Sequence, residues 1–354
     1  MAINLAKKYS DKIAEYFHLK SVVDGRTNQD YNFIGVKTIS VYTPVTQALN
    51  DYARTGANRY GDPSEMQDAV QEMSLSRDRA FSITIDKGNN SEQMNVKEAG
   101  KMLALEMEEQ VVPEMDKYAL GKFAHDAGIC VAASGAPTKS TVIGMLSDAM
   151  AAMSNKNVPT DGRTIYIGWT LFSALRLAPE FLDIETLGKE AVARGAVKAF
   201  MGAAVVPVPD SYLGDAYFII AHKNSVMQPK AIQDYFVKQN PPGINGALLE
   251  GRFVYDAFVL GAKANGVYAL VPSGAKTSAP SIDASLTNVS IISSANTVKF
   301  TVDGSDPRYS GTAIVGKSAD VSAYVGKEIT IKAVAYDNGK YASDVVEAKH
   351  TVEN

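Results

Sequence analysis

Apolar positions change their period several times along this chain, and each change predicts an element. Over residues 3–20, Ile3, Leu5, Ala6, Ile13 and Phe17 share a stripe with lysines and acids opposite, the pattern of an amphipathic helix. A helix this short is marginal alone, so its apolar face needs a partner surface. Residues 33–43 (FIGVKTISVYT) alternate with period two and are rich in β-branched side chains, which predicts a strand ended by Pro44. A polar, Gly-containing connection fills 54–68. Alternation then returns over 70–86, where Met73, Leu75, Phe81, Ile83 and Ile85 share one parity and Arg77, Asp78 and Arg79 interrupt the stripe. The pattern predicts one long strand or a hairpin arm, closed by the turn Lys87-Gly88-Asn89-Asn90. Such an arm has one modest apolar face and few core partners, so another chain is expected to stabilise it; the alternative is an ordinary edge hairpin with a solvated face.

Helical spacing dominates 92–127. Asn95 is a candidate N-cap, and Val96, Ala99, Leu103, Met107 and Val111 or Val112 follow on one face. Pro113 removes a backbone donor and pushes Val112 away from the α region, so a kink or break is expected there. The helix resumes through Met115, Tyr118, Ala119 and Phe123 to Gly128. A second helix is predicted from Thr141 to Met153, capped by Ser140. Beyond it, TIYIGW (164–169) predicts a strand, LFSALRLAPEF a helix stopped near Pro179, and GAVKAFMGAAVVPVP (195–209) a strand, a turn and a strand. YFIIAH (217–222) is a continuous apolar run, as in a buried strand, and 253–270 turns between Gly261 and Gly266 into a last strand. Short helices and strands without a βαβ rhythm make the class α+β.

Residues 272–281 (PSGAKTSAPS) lack apolar periodicity and predict a flexible linker. Beyond it, short alternating runs (NTVKFTV, ITIKAVAY, VVEAKHTV) separated by turn residues predict an all-β, Ig-like sandwich over 282–354.

Composition narrows the function classes. The chain has 354 residues, enough for two or three folding units, with 46% hydrophobic and 21% charged residues, as in globular proteins. A net charge of -4 argues against coating nucleic acid by bulk charge. The lone Cys130 allows neither an intrachain disulfide nor a multi-cysteine zinc site. The start of the chain predicts neither a signal peptide nor a membrane anchor, and no apolar run is long enough to span a bilayer, so no membrane partner is expected.

Candidate chemistry is sparse. His18, His125, His222 and His350 lie far apart, without second ligands at helical or turn spacing. His125 is expected at a helix end, near free carbonyls, and His222 as a structural histidine ending a buried strand. Gly261–Gly266 is followed by Val267 and Tyr268 instead of the Lys and Ser/Thr of a phosphate loop, and no Gly-x-Ser-x-Gly elbow exists. Glu106, Glu108, Glu109, Glu114 and Asp116 cluster around Pro113, where a solvated or intersubunit face is expected instead of a catalytic pair. Asp303-Gly304-Ser305-Asp306-Pro307 lacks the ligand run of a calcium loop and predicts a tight turn. No enzyme, cofactor or metal is expected.

An ordered series of segments resembles the major capsid proteins of tailed bacteriophages over roughly residues 30–271. SRDRAFSITID looks like their extended hairpin loop, and VVPEMDKYAL (111–120), with its Pro-Glu-x-Asp-x-Tyr, is similar to their long spine helix. RTIYIGWTLFSALRLAPEF (163–181) and GAVKAFMGAAVVPVPDSYL (195–213) resemble stretches of the axial domain, and YFIIAHKNSV and GRFVYDAFVLGAKANGVYAL the closing strands. The resemblance implies a peripheral domain with a spine helix, an axial domain and a hairpin arm. It divides the chain into an N-terminal arm and first strands (1–53), an extended hairpin loop (54–92), peripheral and axial domains (93–271), a linker (272–281) and the Ig-like unit (282–354). Copies would join as hexamers and pentamers into an icosahedral virion capsid, after a stage in the host cytoplasm, with a separate scaffolding protein and non-specific contact with packaged DNA. Arg77, Asp78, Arg79, Phe81, Glu114 and Asp116 are the intersubunit candidates.

The C-terminal unit resembles the chitobiase/β-hexosaminidase C-terminal module, through Thr-x-Asp-Gly-Ser-Asp-Pro (301–307) and Ile-Lys-Ala-x-Ala (331–335). That implies display on the shell's outside and a weak carbohydrate or cell-surface ligand, or else a merely stabilising knob. The alternatives are the shell protein of a bacterial nanocompartment, a secreted glycan-active enzyme and a monomeric carbohydrate-binding protein.

Overall fold

The alternation over 38–44 and 68–86 becomes three strands that do not form one arm. The computed structural model describes residues 20–353, apart from 32, 34–36, 45, 47–48, 62–64, 67, 93–97, 179–198 and 286. In it β1 (Thr38–Pro44) and β2 (Asp68–Ser74) pair antiparallel from Thr38↔Ser74 to Pro44↔Asp68, forming a hairpin joined through residues 45–67. β3 (Arg77–Asp86) follows after two residues and joins a different sheet. Leu75 makes the break: it is buried with Phe33, Met73, Met227 and Leu260, and its N–H donates to the Lys37 carbonyl at 2.9 Å. The next N–H, of Ser76, donates to the Asp256 carboxylate at 2.8 Å. The hairpin therefore spans 38–74, whereas residues 77–86 belong to the body, which corrects the expected loop at 54–92. The expected turn at Lys87 instead opens a short helix, α1 (Lys87–Glu92), started by the Asn89 N–H donating to the Asp86 carboxylate. The helix expected over 3–20, and the cap at Asn95 with Val96, lie outside the described residues.

Pro113 lacks an N–H and its ring crowds the carbonyl one turn earlier, yet the helix does not break. α2 (Ala99–Glu106) widens into a π-turn over Met107–Val111 and continues as α3 (Val112–His125), with Pro113 in the first turn of α3. Val112 stays in the α region (φ -62, ψ -48), contrary to expectation. The wider turn relieves the clash and the missing donor together.

The central sheet has six strands in the order β4-β13-β8-β5-β7-β6: β4 (Ile129–Ala133), β5 (Arg163–Gly168), β6 (Ala199–Phe200), β7 (Ala203–Val208), β8 (Phe218–His222) and β13 (Val267–Pro272). β13 runs parallel to β4 and β5 parallel to β7, while the other pairs are antiparallel. Helices cover both faces. α4 (Val142–Ser154) and α5 (Trp169–Arg176) pack on Ile165, Ile167, Phe218, Ile220 and Leu270. α3 packs on Tyr166, Ile219, Ala221, Ala269 and Val271, the opposite parity of the same strands. Burial on both faces is why β5 and β8 are buried at every position, and why β8 reads as a continuous apolar run. α4 starts at Thr141 without a side-chain cap bond, so Ser140 is not the expected cap; the Thr141 hydroxyl instead accepts from the Thr138 N–H at 2.9 Å. Of the strand–turn–strand predicted over 195–209, the described part is present as strands at 199–200 and 203–208, with Met201 and Gly202 at positive φ, and the Pro179 stop lies outside the described residues.

A second sheet, in the order β10-β11-β3, lines the spine formed by α2 and α3. β10 (Lys230–Gln239) pairs with β11 (Gly246–Tyr255), which pairs with β3 from Arg77↔Tyr255 to Asp86↔Gly246. β9 (Val226–Met227) and β12 (Phe258–Val259) form a small ladder between the two sheets.

The C-terminal unit is all β. β14 (Ser281–Ser285), β15 (Asn288–Ile292) and β18 (Ser318–Asp320) form one sheet, while β16 (Thr297–Thr301), β17 (Ile314–Val315), β19 (Glu328–Tyr336) and β20 (Val346–Thr351) form another. Both bury side chains in one core, around Val289, Ile291, Val298, Phe300, Ile329 and Ile331. The segment before it is no free tether. Lys276 Nζ donates to the Cys130 carbonyl at 2.6 Å and to Asp344 at 2.7 Å, and the N–H groups of Thr277 and Tyr341 bond to Tyr341 and Ala275 carbonyls. The flexible linker expected at 272–281 is thus a pinned crossing.

Candidate assembly surfaces

Among the described residues, the hairpin is buried only along its paired root. Ile39 and Val41 lean on the cluster of Phe33, Met73, Leu75, Met227 and Leu260. Tyr42, paired with Val70 on the ladder, is exposed; beyond the ladder Tyr52 and Met66 are exposed, Tyr60 is 85% exposed and Leu49 fully so. Tyr52 and Tyr60 meet edge to face at 5.1 Å, with no core behind them. Burying each such side chain is worth roughly 1.5–3 kcal/mol, so the arm offers a surface with stabilisation still to gain. Trp169, at the start of α5, and Met201, in the turn before β7, are two more exposed apolar side chains that the sequence reading did not single out.

Five of the six candidate residues lie around the start of β3 and the middle of the spine. Asp78 accepts two hydrogen bonds from the Arg252 guanidinium, at 3.0 and 2.6 Å, and that guanidinium holds its carboxyl below the usual value. Arg79 reaches Glu114 on α3 at 3.1 Å, and Glu114 also accepts from the Tyr255 hydroxyl at 3.4 Å. Burial, with the Glu114 charge beside it, pushes Tyr255 up to about 12. Arg77 lies over the Tyr118 ring, 4.5 Å from its centre, and the Tyr118 hydroxyl donates to the buried Asp256 at 2.8 Å. Phe81 stacks on Phe253 above Gly251, where a Cβ would come 2.5 Å from the Phe81 ring. The result is an exposed row of charges beside an open groove of about 500 Å3, lined by Arg77, Glu114, Lys117, Tyr118, Lys122 and His125.

Asp116 is a correction. It is 3% exposed, accepts from the Ser21 hydroxyl at 2.8 Å and from the Val22 N–H at 2.7 Å, and so pins the entering chain to the spine. Burial raises its pKa, although those hydrogen bonds and Lys230 pull the other way. It faces inward with Ala119, Leu120 and Phe123, at the i+3, i+4 and i+7 positions of one helix face. That spacing was the available signal for its burial.

The other polar candidates carry structure. His125 ends α3 and contacts Asp126 at 3.3 Å, and His222 ends β8, its Nδ1 accepting from the Asn224 N–H at 3.2 Å. Burial pushes the Cys130 thiol up to about 11. Asp303–Pro307 is a turn with Gly304 at φ +77. Burial pushes Asp303 up, but bonds from Ser305 and Thr312 outweigh it and leave the carboxyl low. Among the described residues no group of three or more His, Cys, Asp or Glu side chains is placed to hold a metal ion, and no helix is long and apolar enough to cross a membrane.

No family model matches the chain, and no curated protein matches it in sequence. Solved structures do. A chain from Mycobacterium phage Che8 superposes with a TM-score of 0.65 at 16% identity, covering 76% of this chain and 98% of that one. The capsid structure of the cyanophage P-SCSP1u gives 0.62 at 14% identity, over 76% and 93%. The asymmetric unit of the mature capsid of bacteriophage PhiM1 gives 0.60 at 10% identity, over 76% and 92%. The fold is that of phage capsid proteins. Among the described residues, the exposed hairpin is the part with the least core behind it.

Proposed function

We propose that this chain is a structural protein that assembles, as hexamers and pentamers of itself, into an icosahedral capsid around phage DNA. The capsid fold carries the proposal, since nearly the whole length of each neighbour is matched. The hairpin supports it physically: apolar side chains without a core behind them gain most when a second copy covers them. Arg77, Asp78, Arg79, Phe81 and Glu114 are assigned to the contacts between copies, and a separate scaffolding protein to guiding closure. Inside the shell, contact with DNA is non-specific. The matched share leaves a remainder of about the length of the C-terminal β unit, which is assigned to the outer surface. Displayed in many copies, that unit would hold a carbohydrate or cell surface weakly per copy and firmly in sum.

Negative-stain electron microscopy of the expressed protein, with and without the scaffolding protein, tests this reading. Rings or closed shells are expected. A chain that stays monomeric at high concentration under both conditions overturns it.

A further inference from the structure

One loop of the C-terminal unit, Asp306–Gly311, touches two separate parts of the body. At the end of α3, the Arg308 guanidinium donates to the carbonyls of Ala127 and Gly128 at 3.0 and 3.1 Å, and the Tyr309 hydroxyl donates to the carbonyl of Asp126 at 2.6 Å. Asp306 holds the guanidinium in place with a pair at 2.7 Å. These carbonyls lie just past the helix, where partial negative charge collects and donors are wanted. At the root of the hairpin, the Gly311 N–H donates to the Val70 carbonyl of β2 at 3.0 Å. Gln71, the next residue, is tied to the body: its side chain accepts from the Gly261 N–H at 2.7 Å and donates to the Val259 carbonyl at 3.0 Å. Tyr309 packs against Gly261, where a Cβ would come 2.5 Å from that of Tyr309 and 3.3 Å from the Gln71 side-chain oxygen, so any larger residue there would push both the loop and Gln71 away.

We infer that this loop is an internal brace, through which the C-terminal unit fixes the direction in which the hairpin leaves the capsid body. A two-stranded hairpin is marginal by itself, and this one buries only its root. The brace links that root to the end of α3 through groups that are pre-positioned: Arg308 by its pair with Asp306, and Tyr309 by its seat on Gly261. A small rotation at the root would sweep the far end through several ångströms, because each strand residue adds about 3.3 Å of lever. Holding the root reduces the ordering cost that the hairpin would otherwise incur on meeting a neighbour. The C-terminal unit then contributes to the arm's geometry whether or not it has a ligand of its own.

Hydrogen–deuterium exchange on the full-length, unassembled chain tests the brace, independently of whether shells form. Arg308→Lys keeps the charge opposite Asp306 but loses the fork to two carbonyls, and Tyr309→Phe removes one hydroxyl. Together they are expected to speed exchange in β1 and β2 by about tenfold, with β16 and β19 unchanged. Gly261→Ala acts from the body side and leaves the C-terminal unit's sequence intact; because a Cβ there would also come 3.3 Å from the Gln71 side-chain oxygen, it is made in a Gln71→Ala background, where a further hairpin-specific acceleration over Gln71→Ala alone is expected. Unchanged hairpin exchange in both variants overturns the brace. If the double variant also loosens β16 and β19, Gly261→Ala in the Gln71→Ala background decides alone: hairpin acceleration beyond that of Gln71→Ala upholds the brace, and its absence overturns it.

Discussion

The central sheet and the hairpin are made of similar residues and end in opposite conditions. In the sheet, β5 and β8 are buried at every position because helices cover both faces. In the hairpin, β1 alternates between exposed and half-buried, and Leu49 and Tyr60 are exposed. Strand length does not explain the difference, since β1 and β2 have seven residues and β5 and β8 six and five. What differs is whether the chain supplies its own second layer. The sheet is a finished structure that other parts of the capsid fold use as a platform. The hairpin is half of a structure whose second half is assigned to another copy.

Changes in the sheet should therefore act on the isolated subunit, and changes on the hairpin only on assembly. Phe218→Ala, at a fully buried β8 position stacked 6.0 Å from Tyr268, is expected to cost about 3–5 kcal/mol in urea unfolding of the subunit. Arg163 comes next. It is 2% exposed, and its guanidinium donates to the carbonyls of Met150, Val158 and Pro159 and to the Ser154 hydroxyl at the end of α4, with no carboxylate among these partners. Arg163→Met would remove the donor from the Val158 and Pro159 carbonyls and one of the donors to Met150, at an expected cost of roughly 3 kcal/mol by the same measurement.

Asp116 stands between the two regions, since it holds the chain that leads into the hairpin. Asp116→Ala removes the acceptor for Ser21 and Val22, with an expected loss of about 1–3 kcal/mol and faster exchange at residues 20–28. Its pH dependence has a definite sign. Burial holds the folded-state pKa above 3.8, so the native chain binds this proton more tightly than the unfolded chain does. Acidification through the window just above 3.8 adds stability, and rising pH through that window removes it. Relative to Asp116→Asn, the native chain should therefore gain stability as pH falls toward 3.8. A difference that shrinks on acidification would show that the carboxyl is not held high.

The same contrast explains what the sequence revealed. Burial on both faces writes a continuous apolar run, so β8 was legible from YFIIAH alone, as was the strand–turn–strand at 199–208. The hairpin boundary was not legible, because Met73, Leu75 and Phe81 keep one parity and the charged interruption at 77–79 does not by itself mark a change of partner. Only Lys37 and Asp256, the latter 180 residues away, decide that the pairing partner changes at Leu75. Pro113 was visible as a disturbance, but a break and a π-turn have the same sequence signature. The charged row at 77–79 and Glu114 was identified by residue type, whereas Arg308 and Tyr309 were missed, since their partners are carbonyls about 180 residues distant.

Replacing Leu49 and Tyr60 with serine sharpens the comparison from the other side. Both are solvated in the single chain, so unfolding of the subunit should change by no more than about 0.5 kcal/mol. Sedimentation of the assembly reaction should nevertheless lose its fast-moving particles. If both properties survive, the hairpin is not a contact between copies; if the subunit melts instead, the arm already has a core within its own chain.

Asp78→Asn has the smallest expected effect on the subunit. Its paired oxygens sit in open solvent opposite Arg252, where Coulomb attraction is screened and holding two side chains together costs entropy. Subunit melting is therefore expected to be unchanged within error. An interface would change that balance, because a neighbouring copy that excludes water from the pair strengthens it and makes the loss of one partner expensive. Assembly measured against salt separates the outcomes. If the row at 77–79 faces another copy, the variant should need a higher subunit concentration to form particles than the native chain, and the gap should narrow as salt screens the native pair. Identical assembly curves at every ionic strength would remove Asp78 from the contacts between copies and leave the exposed hairpin as the surface that joins them.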